Sequence, residues 1–253
     1  MKINVSKNEE LLGVAAAEAI AEGLKAAIAE KGEATFLAST GSSQFTTFVG
    51  LLARNDVDWT KVTMYHLDEY VALPESHIAS FRKYLKERFV SKIPLKRAVF
   101  VGCEDDKLAE HMAELEREFD GLTIDVGAIG IGENAHIAFN DPPAQFDKAG
   151  AYHVVNLNDT CKQQQVNEGW FATLDDVPKQ AISMTPGQIM KCKKIVSAVP
   201  GPRKAQAIYN TLTRGKTDPM VPATLLLEHP NAELYLDEGS ASMCTAEILA
   251  KHG

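Results

Sequence analysis

Apolar side chains along this chain switch between a helical period and short continuous runs, and the switches mark out most of the elements. Residues Asn8 to Glu30 carry Leu11, Leu12, Ala15, Ala16, Ile20, Leu24 and Ile28 on a helical period with Glu and Lys between them, and Gly32 follows as a stop. An opening amphipathic helix is predicted. Ala34 to Ala38 is a short apolar strand and Phe45 to Ala53 is helical again. Val62 to Leu67 is a second strand, followed by helix over Ser80 to Val90, strand over Arg97 to Val101 and helix over Lys107 to Phe119. The run Ile124 to Ile131 has the length and Val, Ile and Gly content of a strand buried on both faces. Strand and helix alternate throughout, which predicts an α/β fold with a parallel sheet and helices on its faces.

The second half is less regular. Tyr152 to Leu157 alternates like a strand, Thr160 to Phe171 reads as a polar helix, and Ala181 to Met184 is a short strand before a turn at Pro186. Lys194 to Val199 is a strand that breaks at Pro200-Gly201-Pro202 and enters a helix. Pro222 to Leu227 is a short helix, Ala232 to Leu236 a last strand and Ser240 to Leu249 a closing helix. No repeat, linker or low-complexity tract interrupts the chain, so one domain over residues 1–253 is expected.

Composition narrows the function. A hydrophobic fraction of 45% over 253 residues supplies a substantial core. The formal net charge of -8, with Lys and Arg spread out, argues against a nucleic-acid partner, though a small anion needs only a few local donors. Cysteines at 103, 161, 192 and 244 show no CxxC pair and no metal-ligand spacing, so free thiols in a reducing cytoplasm are expected, with no metal. Met1 to Glu9 is polar and no run approaches a membrane span, so neither secretion nor a membrane is expected.

Three strand ends carry chemistry. Ser39-Thr40-Gly41-Ser42-Ser43 joins a strand to a helix, where backbone N–H groups and hydroxyls form an anion site; a plain N-cap serine fits the same residues. Asp68-Glu69-Tyr70 puts two carboxylates where burial raises a pKa, which makes one of them a candidate base. Gly130 to Pro142 concentrates His136, Asp141 and the amides of Asn134 and Asn140 after a strand, an arrangement suited to moving protons; a glycine-punctuated strand exit with a surface histidine fits equally. In a parallel sheet these loops meet outside the carboxyl ends of the strands. Arg203 and Lys204 in the first turn of a helix oppose its dipole, which hints at an anion nearby or at two solvated charges.

Thr40-Gly41-Ser42-Ser43, Leu67-Asp68-Glu69-Tyr70-Val71, Gly130-x-Gly132 through His136-Ile-Ala-Phe-Asn140-x-Pro142, and Arg203-Lys204-Ala205 together resemble the glucosamine-6-phosphate deaminase/isomerase family, in order, over about residues 10 to 245. The resemblance implies a Rossmann-like, mostly parallel sheet with helices on both faces, a sugar-phosphate substrate and no cofactor. It also implies isomerisation of an amino-sugar 6-phosphate with release of ammonia. By position, Asp68 resembles the base between C2 and C1, and His136 the ring-opening histidine. Asp141 falls where the family has a glutamate. Thr40, Gly41, Ser42 and Ser43 resemble the phosphate cradle with Lys204, and Glu69 is counted with these substrate-binding residues.

The chain departs from the family pattern at Asn134, where the family has an aspartate, and at Ala135, where it has a glycine. It also lacks the family's phosphate-binding arginine around Asn167 to Phe171, for which Arg203 or Lys162 are the available substitutes. A related lactonase-like hydrolase and a catalytically weak sugar-phosphate sensor are the alternatives. The sensor is motivated by Asn134 and the missing arginine. A homo-oligomer is compatible with the sequence. Only Lys148 is cationic over 147–153, where some relatives hold an activating N-acetyl sugar phosphate, so no such activation is expected.

Overall fold

The computed structural model describes residues 1–102 and 107–251; Cys103 lies outside them. The chain begins with a strand, β1 (Lys2–Ser6), then α1 (Glu9–Lys31), β2 (Ala34–Ala38), α2 (Phe45–Leu52), β3 (Val62–His66) and β4 (Asp68–Tyr70). Next come α3 (Phe81–Arg88), β5 (Arg97–Val99), α4 (Leu108–Glu118) and β6 (Val126–Ala128). The second half adds β7 (Tyr152–Asn156), α5 (Asp159–Asn167), β8 (Gln180–Met184), α6 (Pro186–Ile189), β9 (Lys194–Val199), α7 (Ala205–Thr213), β10 (Ala232–Asp237) and α8 (Ala246–Ala250).

Seven strands form one parallel sheet in the order β1-β10-β9-β6-β2-β3-β5. The chain winds from β2 outward through β3 to β5, then returns to the other side of β2 at β6. That reversal leaves a crevice outside the carboxyl ends of β2 and β6. The helix α1 buries Leu12, Ile20 and Leu24 completely on one face of the sheet. Its crossing with α2 is close because glycine stands at both contact points. A Cβ at Gly13 would fall 2.4 Å from that of Thr46, and one at Gly50 would fall 2.7 Å from that of Ala17. This contact fixes where α2 starts, and with it the loop Ser39 to Ser43.

The structure corrects the sequence reading at three places. Met1 to Glu9, read only as polar, holds a strand: β1 pairs in parallel with β10 at the sheet edge, its short alternation of Ile3 and Val5 with polar residues being too brief to stand out. Asp68-Glu69-Tyr70 is not the tail of a strand. Leu67 donates its N–H to Ala38 O in the large sheet, while its own carbonyl accepts from Met184 N–H, so the chain changes sheets at this residue. The strands β4, β8 and β7 then form a separate antiparallel sheet of three. Lastly, Ser240 to Cys244 turns instead of continuing a helix, because the Asp237 carboxylate and Ser240 hydroxyl satisfy local backbone groups, and α8 starts only after Thr245 caps it. No helix among the described residues is long and apolar enough to cross a membrane.

Candidate active site

A cleft of about 900 Å³, including its open mouth, lies over the crevice between β2 and β6. Its walls hold Thr40, Gly41, Ser42, Ser43, Asp68, His136 and Lys204 from the residues singled out in the sequence. Asn134 and Asp141 stand behind His136 and do not line the cleft, and Glu69 is turned away from it.

The loop after β2 is built to be held still. Gly41 has φ 97, in the left-handed region that side chains avoid, and turns the chain into a short 3₁₀ segment leading to α2. Tyr84 donates its hydroxyl to Gly41 O at 3.0 Å. Gln44 is fully buried beneath the loop, where its amide donates to Ser43 Oγ at 3.2 Å and to Ala198 O at 3.4 Å. Ser39 Oγ is buried, lines the cleft and has no hydrogen-bond partner. Lys204 is half-buried at the same end, and its ammonium makes no hydrogen bond or ion pair within the described residues. Burial lowers its pKa, while Glu168 and Glu133 oppose that. Loop and ammonium together present hydroxyls, backbone N–H groups and a positive charge, a combination that suits an anion.

Neither expected substitute for the missing arginine reaches this site. Arg203 is 61% exposed and paired with Glu133 at 3.4 Å, and Lys162 is absent from the walls. The C-terminal part of α5 contributes Gln164 and Gln165 instead, and the turn after it Glu168 and Trp170. These four were missed in the sequence because a polar helix gives no sign of which face meets a cleft.

Asp68 sits on the cleft floor at the point where the chain changes sheets. It is 6% exposed and its carboxyl makes no hydrogen bond within the described residues. Burial, and then the charge of Glu69, push its pKa to about 8. Strand alternation sends Glu69 to the opposite side. There it accepts from the N–H groups of Tyr70, Phe81 and Arg82, from Ser80 Oγ and from Arg82 Nε. An acceptor-only carboxylate suits five donors at the start of α3. The assignment of Glu69 to substrate is therefore corrected: both its oxygens are taken up in anchoring α3.

His136 is held through one ring nitrogen. Nδ1 is 2.6 Å from Asn134 Oδ1 and 3.3 Å from Asp141 Oδ1, and Asn134 Nδ2 donates to Asp141 at 2.8 Å. Asn134 Oδ1 only accepts, so this network assigns the proton to Nδ1 and leaves Nε2 as an acceptor. Burial works against the charge on Asp141, but hydrogen bonds from His136, Asn134 and Cys161 bring its pKa below the usual value. The imidazole lies flat over Gly132, where a Cβ would come within 2.1 Å of His136 Cε1. Ala135 adopts φ 66 and Ala138 φ 52, strain of about 1–2 kcal/mol each. Asn140 absorbs part of that strain, since its amide donates to Ile137 O and Met184 O and its Oδ1 meets His153 Nε2. The side chain of Asn140 is thus committed to holding the loop.

The cleft combines a glycine- and hydroxyl-rich loop beside an ammonium, a raised carboxyl and a histidine in a fixed tautomer. Within the described residues, no group of three or more His, Cys, Asp or Glu is placed to hold a metal ion.

Residues 7–236 match the protein family described as glucosamine-6-phosphate isomerases/6-phosphogluconolactonase. The chain is 33% identical to the glucosamine-6-phosphate deaminase of Bacillus cytotoxicus over 252 residues, covering 100% of this chain and 92% of that protein. It is 38% identical to the enzyme of the same name from Staphylococcus epidermidis over 203 residues, 78% of this chain and 80% of that one. Among solved structures, a monomeric glucosamine-6-phosphate deaminase superposes with a TM-score of 0.87 at 29% identity, covering 96% of this chain and all of the other. A 6-phosphogluconolactonase from Trypanosoma brucei shares the fold at TM-score 0.77 and 15% identity, over 96% and 98% of the two chains.

Proposed function

The chain belongs to the glucosamine-6-phosphate isomerase/6-phosphogluconolactonase family, and within it we propose that this protein converts an amino-sugar 6-phosphate, water added, to a ketose 6-phosphate and ammonia in the cytoplasm. Glucosamine 6-phosphate and galactosamine 6-phosphate are the substrates that fit the reading. The observation that carries it is Asp68: a buried carboxyl open to the cleft, without a hydrogen bond among the described residues, with its pKa raised to about 8. Lactone hydrolysis moves no proton between carbons and has no use for such a group.

In this reading the Thr40–Ser43 loop, the Ser39 hydroxyl and Lys204 hold the phosphate, which fixes the sugar over Asp68. His136 Nε2 takes the proton of the C1 hydroxyl and returns it to the ring oxygen, opening the ring. The resting tautomer supports this, because Nδ1 carries its proton toward Asn134 and leaves Nε2 able to accept. Asp141 steadies the imidazolium while the proton is in transit, so the neutral Asn134 does not leave the histidine without a carboxylate. Asp68 then takes the C2 proton and delivers it to C1, while O1 receives a proton from the C2 ammonium and becomes a hydroxyl. A carboxyl with a raised pKa is a stronger base than an exposed one. The resulting C2 iminium adds water and loses ammonia.

The test is to incubate the protein separately with glucosamine 6-phosphate, galactosamine 6-phosphate and 6-phosphogluconolactone, and to measure ammonia, ketose phosphate and acid release. One ammonia per ketose phosphate from an amino sugar is expected. Lactone hydrolysis without ammonia from either amino sugar would replace this reading.

A further inference from the structure

Glu168 is the feature of the cleft that the proposed reaction leaves unexplained. It caps the C-terminus of α5, within the segment that lacks the arginine, and it shares the cleft with the Thr40–Ser43 loop and Lys204. Its carboxylate is fixed: Gln164 Nε2 donates to Oε1 at 2.8 Å and Trp170 Nε1 to Oε2 at 3.1 Å. Each oxygen has one donor from the protein and further lone pairs free. Glu168 is also the leading charged partner of the Lys204 ammonium, whereas the charge acting on Asp68 is that of Glu69. Glu168, Lys204 and the Thr40–Ser43 loop thus line one cleft, with the carboxylate close enough to act on the ammonium.

A fixed anion beside a phosphate site is unfavourable toward a dianion, because two like charges face each other in a partly dry cleft. It is favourable toward a phosphate that keeps one proton, since P–OH donates to a carboxylate in a short, charge-assisted bond. We propose that Glu168 makes the phosphate subsite selective for the singly protonated monoanion of the substrate, with Glu168 accepting from P–OH while the loop and Lys204 take the remaining oxygens. This rests on the amino-sugar phosphate reading and specifies the charge state in which that substrate binds.

Other ionisable groups lie in the same region. Tyr70 and Cys161 are pushed upward by burial and stay neutral, Glu133 is paired with Arg203, and His77 is stacked on Phe171. Lys204 alone would also weaken anion binding as pH rises. The two explanations diverge in the Glu168→Gln variant. Glu168 raises the pKa of Lys204, so removing it makes a lysine-only pH dependence steeper, whereas it flattens a dependence that arises from P–OH.

The experiment is calorimetric titration of glucosamine 6-phosphate into Asp68→Asn, used to prevent turnover, and into Asp68→Asn with Glu168→Gln, from pH 5 to 8. With a second phosphate pKa near 6, the monoanion falls from about half to about one hundredth between pH 6 and 8, so the first protein loses on the order of 50-fold in affinity. The double variant loses less than about fivefold. Glucosamine 6-sulfate, a monoanion without a proton, binds the double variant at least tenfold more tightly than the protein that keeps Glu168. Equal or steeper pH dependence in the double variant, or no preference in sulfate binding, overturns the proposal. Absence of any binding at every pH removes the amino-sugar phosphate reading, and this proposal with it. Binding at a pH-independent affinity removes only the role of Glu168.

Discussion

The raised pKa of Asp68 has a measurable consequence for stability as well as for chemistry. In the unfolded chain its pKa is near the ordinary 3.8, and in the folded protein it is about 8. Between those values the unfolded chain gives up a proton that the folded protein keeps, so folding weakens as pH rises through the window and is level on either side. Asn has the same shape and does not titrate. The Asp68→Asn variant should therefore match the wild type near pH 4 and become progressively more stable relative to it up to about pH 8. A difference of about four units at ~1.4 kcal/mol each sets a ceiling of roughly 6 kcal/mol. Buried sites respond with an effective dielectric near 20 instead of 4, so we expect about 2–3 kcal/mol at pH 8. Urea unfolding of both proteins at pH 5, 6.5 and 8 gives the difference directly, with turnover of the same samples expected to fall by ~10²–10⁴. A stability gap that stays constant across the three pH values would refute the argument, because it would show that Asp68 titrates alike in the folded and unfolded states.

Three further substitutions test the remaining parts. His136→Gln should impair turnover of the cyclic amino sugar far more than conversion of an open-chain substrate, and equal losses would assign the ring to another step. Lys204→Ala should raise KM for the phosphorylated sugar by roughly 10- to 100-fold while leaving the melting temperature within about 2 °C, since its ammonium makes no hydrogen bond or ion pair within the described residues; loss of a charge-assisted hydrogen bond is worth ~1.5–3 kcal/mol. Gly132→Ala should abolish activity by displacing the imidazole, with circular dichroism unchanged, and a variant that retains full activity would show that the ring position is not required. Substrate saturation should be hyperbolic and unaffected by N-acetylglucosamine 6-phosphate, and a sigmoidal curve relieved by that compound would reveal an unrecognised regulatory site.

Much of this was legible in the sequence for a simple reason. Helices such as α1 and strands such as β2 and β9 are defined by contacts that repeat along the chain, and repetition shows in the pattern of apolar residues. The cradle and the histidine loop were visible because glycines, hydroxyls and acid/base groups cluster within a few consecutive residues. What could not be read depends on partners far along the chain. Glu69 lies next to Asp68, yet only the start of α3 decides that one faces the cleft and the other is buried among donors. Gln164 and Glu168 acquire meaning only once α5 is laid against the loop after β2. The three-residue strand β4 has no pattern of its own, and it exists because β8 arrives to pair with it.

The pairing of β1 with β10 imposes an order on assembly. Lys2 to Ser6 align with Glu233 to Asp237, so the first strand to leave a ribosome is joined only when nearly the whole chain has followed. At roughly 5–20 residues per second, that delay is on the order of ten to fifty seconds. For that interval Ile3 and Val5 belong to an unpaired strand next to α1, whose apolar face also waits for β9 and β10. A chaperone that holds the amino-terminal segment during synthesis would thus raise the yield of soluble protein. Ribosome-bound chains stopped before residue 232 should be cut by proteases within the first six residues, and chains released at full length should resist.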